Sequence, residues 1–195
     1  MADAYHQLFR TYKERPCNLP VCGIPVTFQS AKAVGTDDKV TNGFGFTFAR
    51  YKNLAAYCAV ATEVEVNRES GRPRLVRAVA AVDAGQVVNP DGLINQIEGA
   101  ILQSMSWTLY EAVTFDDTRI TSIDWQTYPI LRFNAVPDRV EVHVINRPGQ
   151  PFLGSGETGQ GPAAASIANA IANATGKRLR DLPLTRKKIK GAIDA

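Results

Sequence analysis

Alternating apolar and polar residues predict several strands in the middle of this 195-residue chain. The stretch 57–66 alternates toward its end, a polar turn with Gly and Pro follows at 69–73, and a second apolar stretch covers 75–82. Such alternation is typical of a half-buried strand, and two such stretches around a short turn predict a β-hairpin. Valines alternate again at 140–145, which predicts a further strand.

Two other stretches predict helices. Residues 92–110 contain a single charged residue and apolar side chains at helical spacing, so we expect a helix that is buried nearly all round. Gln96 and Gln103 would then be amides on a buried helix, where they need hydrogen-bond partners, and a bound ligand is one candidate. The alanine-rich stretch 163–174 predicts a second helix, with Pro162 at its first position.

The order of these elements predicts the fold class. Strands and helices mix without regular βα alternation, so we expect an α+β fold in which a mixed sheet of hairpins packs with a buried helix. The stretch 43–48 alternates glycine with aromatic residues, which suits a strand whose glycine face lies against another backbone or a cofactor; an edge strand with a bulge is an equally good interpretation. Residues 1–42 are expected to form a divergent N-terminal segment ahead of a domain at 43–195.

Charge and composition exclude several classes of protein. Lys and Arg number 22 against 19 Asp and Glu, and this net charge of +3 is too small to indicate a nucleic-acid partner. No apolar run approaches the ~20 residues that span a membrane. Because no N-terminal signal pattern is present, we expect a cytoplasmic protein, or a periplasmic one if it is exported with a partner. Three cysteines and two histidines show no metal-ligand spacing, so no metal ligand is predicted.

The candidate chemistry lies in the stretch 152–162, FLGSGETGQGP, which places Glu157 among four glycines ahead of the second helix. The stretch formally matches the G-x-G-x-x-G dinucleotide fingerprint, but a proline-rich loop precedes it and its glutamate would repel a pyrophosphate. A carboxylate near a helix start can act as a general base when burial raises its pKa. The residues alone leave Glu157 as either such a base or a helix cap, and a base would need a cofactor for the remaining chemistry.

Four blocks occur in one order along the chain: 78–90 (AVAAVDAGQVVNP), 95–100 (NQIEGA), 156–171 and 175–185. Together they resemble the xanthine dehydrogenase/aldehyde oxidase family. More narrowly, they are similar to bacterial molybdopterin-binding large subunits of the isoquinoline 1-oxidoreductase and aldehyde dehydrogenase type. The resemblance covers roughly residues 43–193 and implies the C-terminal portion of a molybdenum-cofactor-binding domain. Large subunits of this family are several times longer than the present chain.

The resemblance also implies roles for three residues. Glu157 matches the glutamate that acts as the base beside molybdenum. Gly156, which precedes it, would let the backbone lie close to the metal centre. Gln96 matches the glutamine that hydrogen-bonds the pterin. The implied cofactor is molybdopterin with molybdenum, in its cytosine dinucleotide form, shared with segments that this chain lacks.

The partners and the reaction are implied in the same way. The partners would be the upstream half of the molybdopterin-binding subunit and a small [2Fe-2S] subunit, whose iron–sulfur clusters carry electrons away. The reaction would be the oxidative hydroxylation of an aldehyde or an N-heteroaromatic carbon of a small molecule, with water as the oxygen source. The alternative is a non-catalytic remnant or assembly module that keeps the fold and binds no cofactor alone.

Overall fold

The computed structural model describes residues 18–21, 24–27, 39–50 and 56–195. The chain divides into two compact units, Met1–Asp37 and Asp38–Ala195. In the first unit, the short strands β1 (Asn18–Val21) and β2 (Ile24–Thr27) pair antiparallel. All elements below belong to the second unit. The separation of residues 1–42 from 43–195 stays a prediction.

The second unit contains a four-stranded mixed sheet in the order β3-β4-β5-β6. Its strands are β3 (Val40–Arg50), β4 (Tyr57–Asn67), β5 (Pro73–Asp83) and β6 (Arg139–Ile145). The first three pair antiparallel, and the predicted hairpin is confirmed as β4 and β5, with a register shift between Glu63 and Val64. Strand β6 runs parallel to β5, so the chain must cross from one end of the sheet to the other between them.

The helices of the described residues begin and end at residues suited to those positions. They are α1 (Pro90–Leu109), α2 (Gln160–Thr175) and α3 (Arg186–Asp194). The side chain of Asn89 accepts a hydrogen bond from the Gly92 amide at the start of α1. Gly176 ends α2 at φ +72, a left-handed conformation that glycine adopts readily. Thr185 caps α3 through the Lys188 amide.

Helix α2 begins two residues earlier than predicted. It starts at Gln160, so Pro162 is its third residue and not its first. The first turn of any helix has amides without an intrahelical acceptor, so the missing N–H of Pro162 still breaks no helical hydrogen bond. The prediction was therefore wrong in position, although the reason for tolerating a proline there holds.

Helices α1 and α2 pack on one face of the sheet and form a two-layer α+β fold, as predicted. Helix α2 lies on β3 and β4, and α1 contacts α2 and β6. The core between the layers combines small and branched apolar side chains from both. Its largest fully buried members include Val60, Val64, Val66, Leu75, Ile97, Ile101, Met105, Ile167 and Ile171.

The face of α1 that carries Gln96, Gly99 and Gln103 is exposed. The prediction of a helix buried nearly all round is therefore wrong for this face, and the two amides are not buried. The loop before α2 approaches α1 beside Ala100, where a Cβ on Gly159 would lie 3.1 Å from the Ala100 Cβ. That contact covers one side of α1 and leaves the neighbouring side open.

The glycines of β3 lie against the backbone of α2. A Cβ on Gly45 would overlap the carbonyl oxygen of Ser166, and one on Gly43 would overlap that of Ala170. This confirms the interpretation in which the glycine face of the strand meets another backbone. Strand β3 also lies at the edge of the described sheet, but its pairing with β4 contains no bulge.

Candidate cofactor-binding site

The loop that carries Glu157 starts from the adjacent ends of β5 and β6. Because these strands are parallel, Asp83 at the end of β5 lies opposite Ile145 at the end of β6. The buried carboxylate of Asp83 lies 3.2 Å from Arg147 Nη1 and also accepts a hydrogen bond from the Gly85 amide. The Arg147 amide in turn donates to the Gly85 carbonyl at 2.9 Å. These bonds fix the direction in which the chain leaves the sheet.

Backbone hydrogen bonds then hold the first part of the glycine loop. The Leu153 amide donates to the Ala84 carbonyl at 2.9 Å, and the Ala56 amide donates to the Gly154 carbonyl at 2.9 Å. The hydroxyl of Thr158, which is buried, also donates to the Gly154 carbonyl, at 3.4 Å. The loop is therefore attached to the sheet at its entry, although several of its residues are exposed.

Side chains of α1 hold the second part of the loop. Gln96 Nε2 donates to the carbonyl oxygen of Gly156 at 2.6 Å. Ser104 Oγ donates to the carbonyl of Gln160 at 3.0 Å, and the Gln160 side chain donates to Gln103 Oε1 at 2.9 Å. These hydrogen bonds join α1 to the loop, and the partner that Gln103 was expected to need is Gln160.

The structure brings the three predicted site residues to one place. Gln96 contacts Gly156, and Glu157 follows directly in the chain. The Glu157 carbonyl accepts a hydrogen bond from the amide of Gln160, the first residue of α2. Glu157 therefore lies in the turn before α2, where the helix dipole favours a negative charge. The Glu157 side chain is exposed, so the described part of this chain does not supply the burial expected for a general base.

The surface beside these residues is open at four glycines. A Cβ built on Gly99, Gly154, Gly156 or Gly161 would meet no atom within 4 Å. Without side chains at these positions, a bound molecule can approach the backbone. The amide oxygen of Gln96 accepts no hydrogen bond from the described residues and can accept one from a ring N–H. The residues present therefore fit one side of the molybdopterin that the resemblance implies.

Sequence reasoning missed Ser104, Asp83 and Arg147. Ser104 lies fully buried within the apolar side of α1, and it is one of three buried hydroxyl residues there, with Ser106 and Thr108, so the sequence carries no signal that singles it out. Asp83 ends the largely apolar strand β5, and Arg147 follows β6. Their ion pair depends on the parallel pairing of β5 and β6, which the pattern of either strand alone does not specify.

Other ionisable groups and possible ligands lie outside this loop. Burial raises the pKa of the Cys58 thiol to about 12. Burial also raises the pKa of Glu63, an effect that the positive charge of Arg77 opposes. In the part of the chain that the structure describes, no group of three or more His, Cys, Asp or Glu residues is arranged to hold a metal ion. No described helix is both long and apolar enough to cross a membrane.

A match to a family model decides the relationship of this chain to known proteins. Residues 27–137, more than half of the chain, match the model of the molybdopterin cofactor-binding domain. The chain belongs to this family. Gln96 lies within the matched residues, whereas the glycine loop follows them. The resemblance to the molybdenum-containing dehydrogenases and oxidases is thereby confirmed.

Curated relatives carry the names of several oxidoreductases. One subunit of the nicotinate dehydrogenase of Pseudomonas putida is 41% identical over 160 residues, which are 79% of this chain and 13% of that protein. The beta chain of the isoquinoline 1-oxidoreductase of Brevundimonas diminuta is 34% identical and matches 72% of this chain and 17% of its own length. The chain spans less than a fifth of each of these relatives.

Solved structures confirm the fold class. Quinoline 2-oxidoreductase from Pseudomonas putida 86 superposes with a TM-score of 0.66 and 26% identity, covering 71% of this chain and 19% of that one. Aldehyde oxidoreductase from Desulfovibrio gigas superposes with a TM-score of 0.64 and 28% identity, covering 72% of this chain and 16% of that one. The α+β unit is therefore similar to a part of these enzymes.

Proposed function

We propose that this chain is part of a molybdenum hydroxylase and supplies one side of its active site. The reaction is the oxidative hydroxylation of an aldehyde or an N-heteroaromatic carbon, R–H + H₂O → R–OH + 2 H⁺ + 2 e⁻. The observation that carries the proposal is the 2.6 Å hydrogen bond from Gln96 to the Gly156 carbonyl. It joins the residue assigned to the pterin to the residue that precedes the assigned base, 60 positions further along the chain.

Each residue of the site has a defined task in this proposal. The molybdenum cofactor, when bound, supplies the two-electron redox chemistry. Gln96 accepts a hydrogen bond from the pterin through its amide oxygen, while its Nε2 holds Gly156 in place. Gly156 keeps the backbone free of a side chain beside the cofactor. The Glu157 carboxylate accepts the proton that the attacking oxygen loses, which is general-base catalysis.

The remaining walls of the site and the path for electrons come from outside this chain in the same proposal. The chain covers less than a fifth of its relatives, and Glu157 is exposed where a general base needs a shielded environment. The upstream half of a molybdopterin-binding subunit provides that shielding. A small [2Fe-2S] subunit receives the two electrons, and the cofactor is the cytosine dinucleotide form of molybdopterin.

Replacing Glu157 tests the assignment of the base. In the assembled enzyme, which contains this chain and the remainder of its subunit, Glu157→Gln keeps the shape of the side chain and removes its basicity. We expect kcat to fall roughly 10²–10⁴-fold, the usual contribution of a general base, with unchanged molybdenum content. The matched control is Glu69→Gln, because Glu69 is an exposed glutamate that pairs with Lys39 at 3.0 Å.

Two results would contradict the proposal. If the Glu157→Gln enzyme turned over at the wild-type rate, Glu157 would not be the base. If the wild-type complex contained every partner and still no molybdenum by elemental analysis, the chain would be the non-catalytic module described above.

A further inference from the structure

The segment 111–138, between α1 and β6, exposes large apolar side chains that no described residue covers. Phe133 is 97% exposed and Trp125 is 65% exposed, and Phe115 and Ile123 are also largely exposed. The segment contains little regular structure, namely one bridge between Phe115 and Ile120 and a short 3-10 turn. Exposed apolar side chains grouped in this way mark an interaction surface. We call residues 111–138 the aromatic segment.

The aromatic segment is a fixed surface. The Leu131 amide donates to Ser106 Oγ of α1 at 2.9 Å. The Tyr128 hydroxyl donates to Glu111 at 2.8 Å. The carboxylate of Asp124 accepts hydrogen bonds from its own turn, among them one from the Thr127 amide at 2.9 Å. A surface held in this way loses little conformational entropy when a partner binds.

A pocket with three arginines adjoins the aromatic segment. It has a volume of about 360 Å³, and Arg72, Arg132 and Arg186 line it together with Tyr110 and Asn134. No aspartate or glutamate is among its described lining residues, and the ion pairs of the described chain include none of these three arginines. Burial raises the pKa of Tyr110, and the charge of Arg72 opposes that rise, so this charge acts inside the pocket.

The pocket and the aromatic segment form one continuous surface. The guanidinium of Arg132 lies 5.9 Å from the centre of the Trp125 ring, within the range of a cation–π contact. Phe133, the most exposed of the aromatic residues, stands between the pocket residues Arg132 and Asn134 in the chain. Aromatic residues and arginine are enriched in protein interfaces, and Trp, Tyr and Arg contribute much of the binding energy there.

We propose that this surface docks the remainder of the molybdopterin-binding subunit, through a segment that places a carboxylate among the arginines and apolar side chains on Trp125 and Phe133. The inference rests on the proposed function, because the partner is the missing part of that enzyme. The stretch shared with this chain is 13% of one relative and 17% of another, so most of their mass lies outside it. The surface lies at the C-terminal end of α1, whereas Gln96 lies nearer the N-terminal end. It therefore serves assembly and leaves the cofactor face free.

Charge argues against a second copy of this chain as the occupant. A two-fold interface would bring the same patch of both copies together. Two pockets that each hold three arginines would then face one another, and like charges across an interface are unfavourable. An acidic and apolar segment of a different polypeptide avoids this repulsion.

The experiment measures assembly of the full chain with the polypeptide that carries the remainder of the subunit. We expect Phe133→Ser to weaken binding at least about tenfold, since central aromatic residues dominate interface energy. We expect Arg186→Glu to weaken binding by a similar factor and to reduce its dependence on salt. An acidic residue in the first turn of α3 is compatible with the helix dipole, so this variant should fold. Circular dichroism and thermal midpoints verify folding of each variant.

Two exposed residues outside the surface provide matched controls. Val88 is 81% exposed, and Val88→Ser should bind within about twofold of wild type. Arg180 is exposed and is not a lining residue of the pocket, and Arg180→Glu should also bind as wild type. Hydrogen exchange adds a direct readout: amides of residues 111–138 should exchange more slowly in the complex than in the isolated chain.

The other outcomes test the docking proposal and the proposed function separately. If Phe133→Ser and Arg186→Glu both bind as wild type does, the interface lies elsewhere. The proposed function still stands in that case if the wild-type complex contains molybdenum and turns over substrate. Exchange at 111–138 that is equal in the isolated chain and in the complex shows that the partner does not cover the surface. An isolated dimer that Phe133→Ser dissociates identifies a second copy as the occupant. If Phe133→Ser weakens the complex but the wild-type complex contains no molybdenum, the docking is supported and the proposed function is contradicted. If the wild-type chain forms no complex at all, both proposals are contradicted.

Discussion

Glycines near strand β3 and glycines near the candidate site have opposite surroundings. A side chain on Gly43 or Gly45 would overlap the backbone of α2, whereas one on Gly154, Gly156 or Gly161 would meet nothing within 4 Å. The first pair is required by packing, since only glycine lets a strand and a helix approach so closely. The second group is not required by any contact of the described residues. Open space beside a glycine therefore separates these site glycines from the packed glycines of β3, although Gly149, Gly176 and Gly191 outside the site are equally open.

Substitution of Gly45 should have the largest effect on stability. In Gly45→Ala the new Cβ would overlap the Ser166 carbonyl, so β3 and α2 must move apart. Overpacking of this kind, which forces backbone shifts, costs about 1–3 kcal/mol. Urea denaturation measures the loss. The control is Gly191→Ala in α3, where a Cβ meets nothing and helix propensity predicts a gain of about 0.5–1 kcal/mol.

Cys58 provides a second, chemical measure of the same difference. Cys58 is buried, and its pKa is about 12 instead of the ordinary 9.0. At pH 8 its thiolate is therefore about a thousandfold scarcer than that of an exposed thiol. Labelling therefore requires opening of the fold, and a loss of up to about 3 kcal/mol in Gly45→Ala should speed it by up to about a hundredfold. Gly156→Ala should leave the rate unchanged. Peptide mapping by mass spectrometry follows the label, and equal acceleration in both variants would contradict the comparison.

Substitution of Gly156 should affect cofactor loading and not stability. Because a Cβ there meets no atom, the free energy of unfolding of Gly156→Ala should stay within about 0.5 kcal/mol of wild type. In the assembled enzyme the new methyl group would occupy space that we assign to the cofactor, so molybdenum content should fall. Elemental analysis of that enzyme provides the measurement. Full loading with wild-type turnover would show that the open space has another purpose.

The smallest effect is expected for the hydrogen bond between Gln96 and the loop. Gln96→Leu removes the donor to the Gly156 carbonyl, and a hydrogen bond of this kind contributes about 1 kcal/mol. Amides of residues 156–160 should then exchange about fivefold faster, while global stability changes little. Asn95→Ala is the control, because the Asn95 side chain bonds with Asp91 on its own helix. Equal acceleration in the control would mean that the Gln96 bond does not hold the loop.

Local pattern predicted the elements whose contacts are local or periodic. The β4–β5 hairpin follows from two alternating stretches around one turn, and the buried side of α2 follows from the spacing of Ile167 and Ile171. The proximity of Gln96 to Glu157 came from the resemblance and not from periodicity. The catalytic and pterin-binding roles of these residues stay predictions.

The features that the pattern did not predict depend on long-range placement. Exposure of Gln96 depends on how much of α1 the loop before α2 covers, and nothing in residues 92–110 encodes that extent. The ion pair of Asp83 with Arg147 joins residues 64 positions apart, and it forms because β5 and β6 lie parallel. Pairing over such a distance is decided by the packed layers as a whole.

The contact between β3 and α2 also has a consequence for synthesis of the chain. Asn169 donates to the Phe46 carbonyl across 123 residues of sequence, and the glycines of β3 lie against the same helix. At ~5–20 residues per second, a ribosome completes α2 roughly 6–25 s after β3. For that interval the glycine face of a nascent edge strand has no helix to cover it. This part of the newly made chain therefore stays open to a chaperone until α2 has been made.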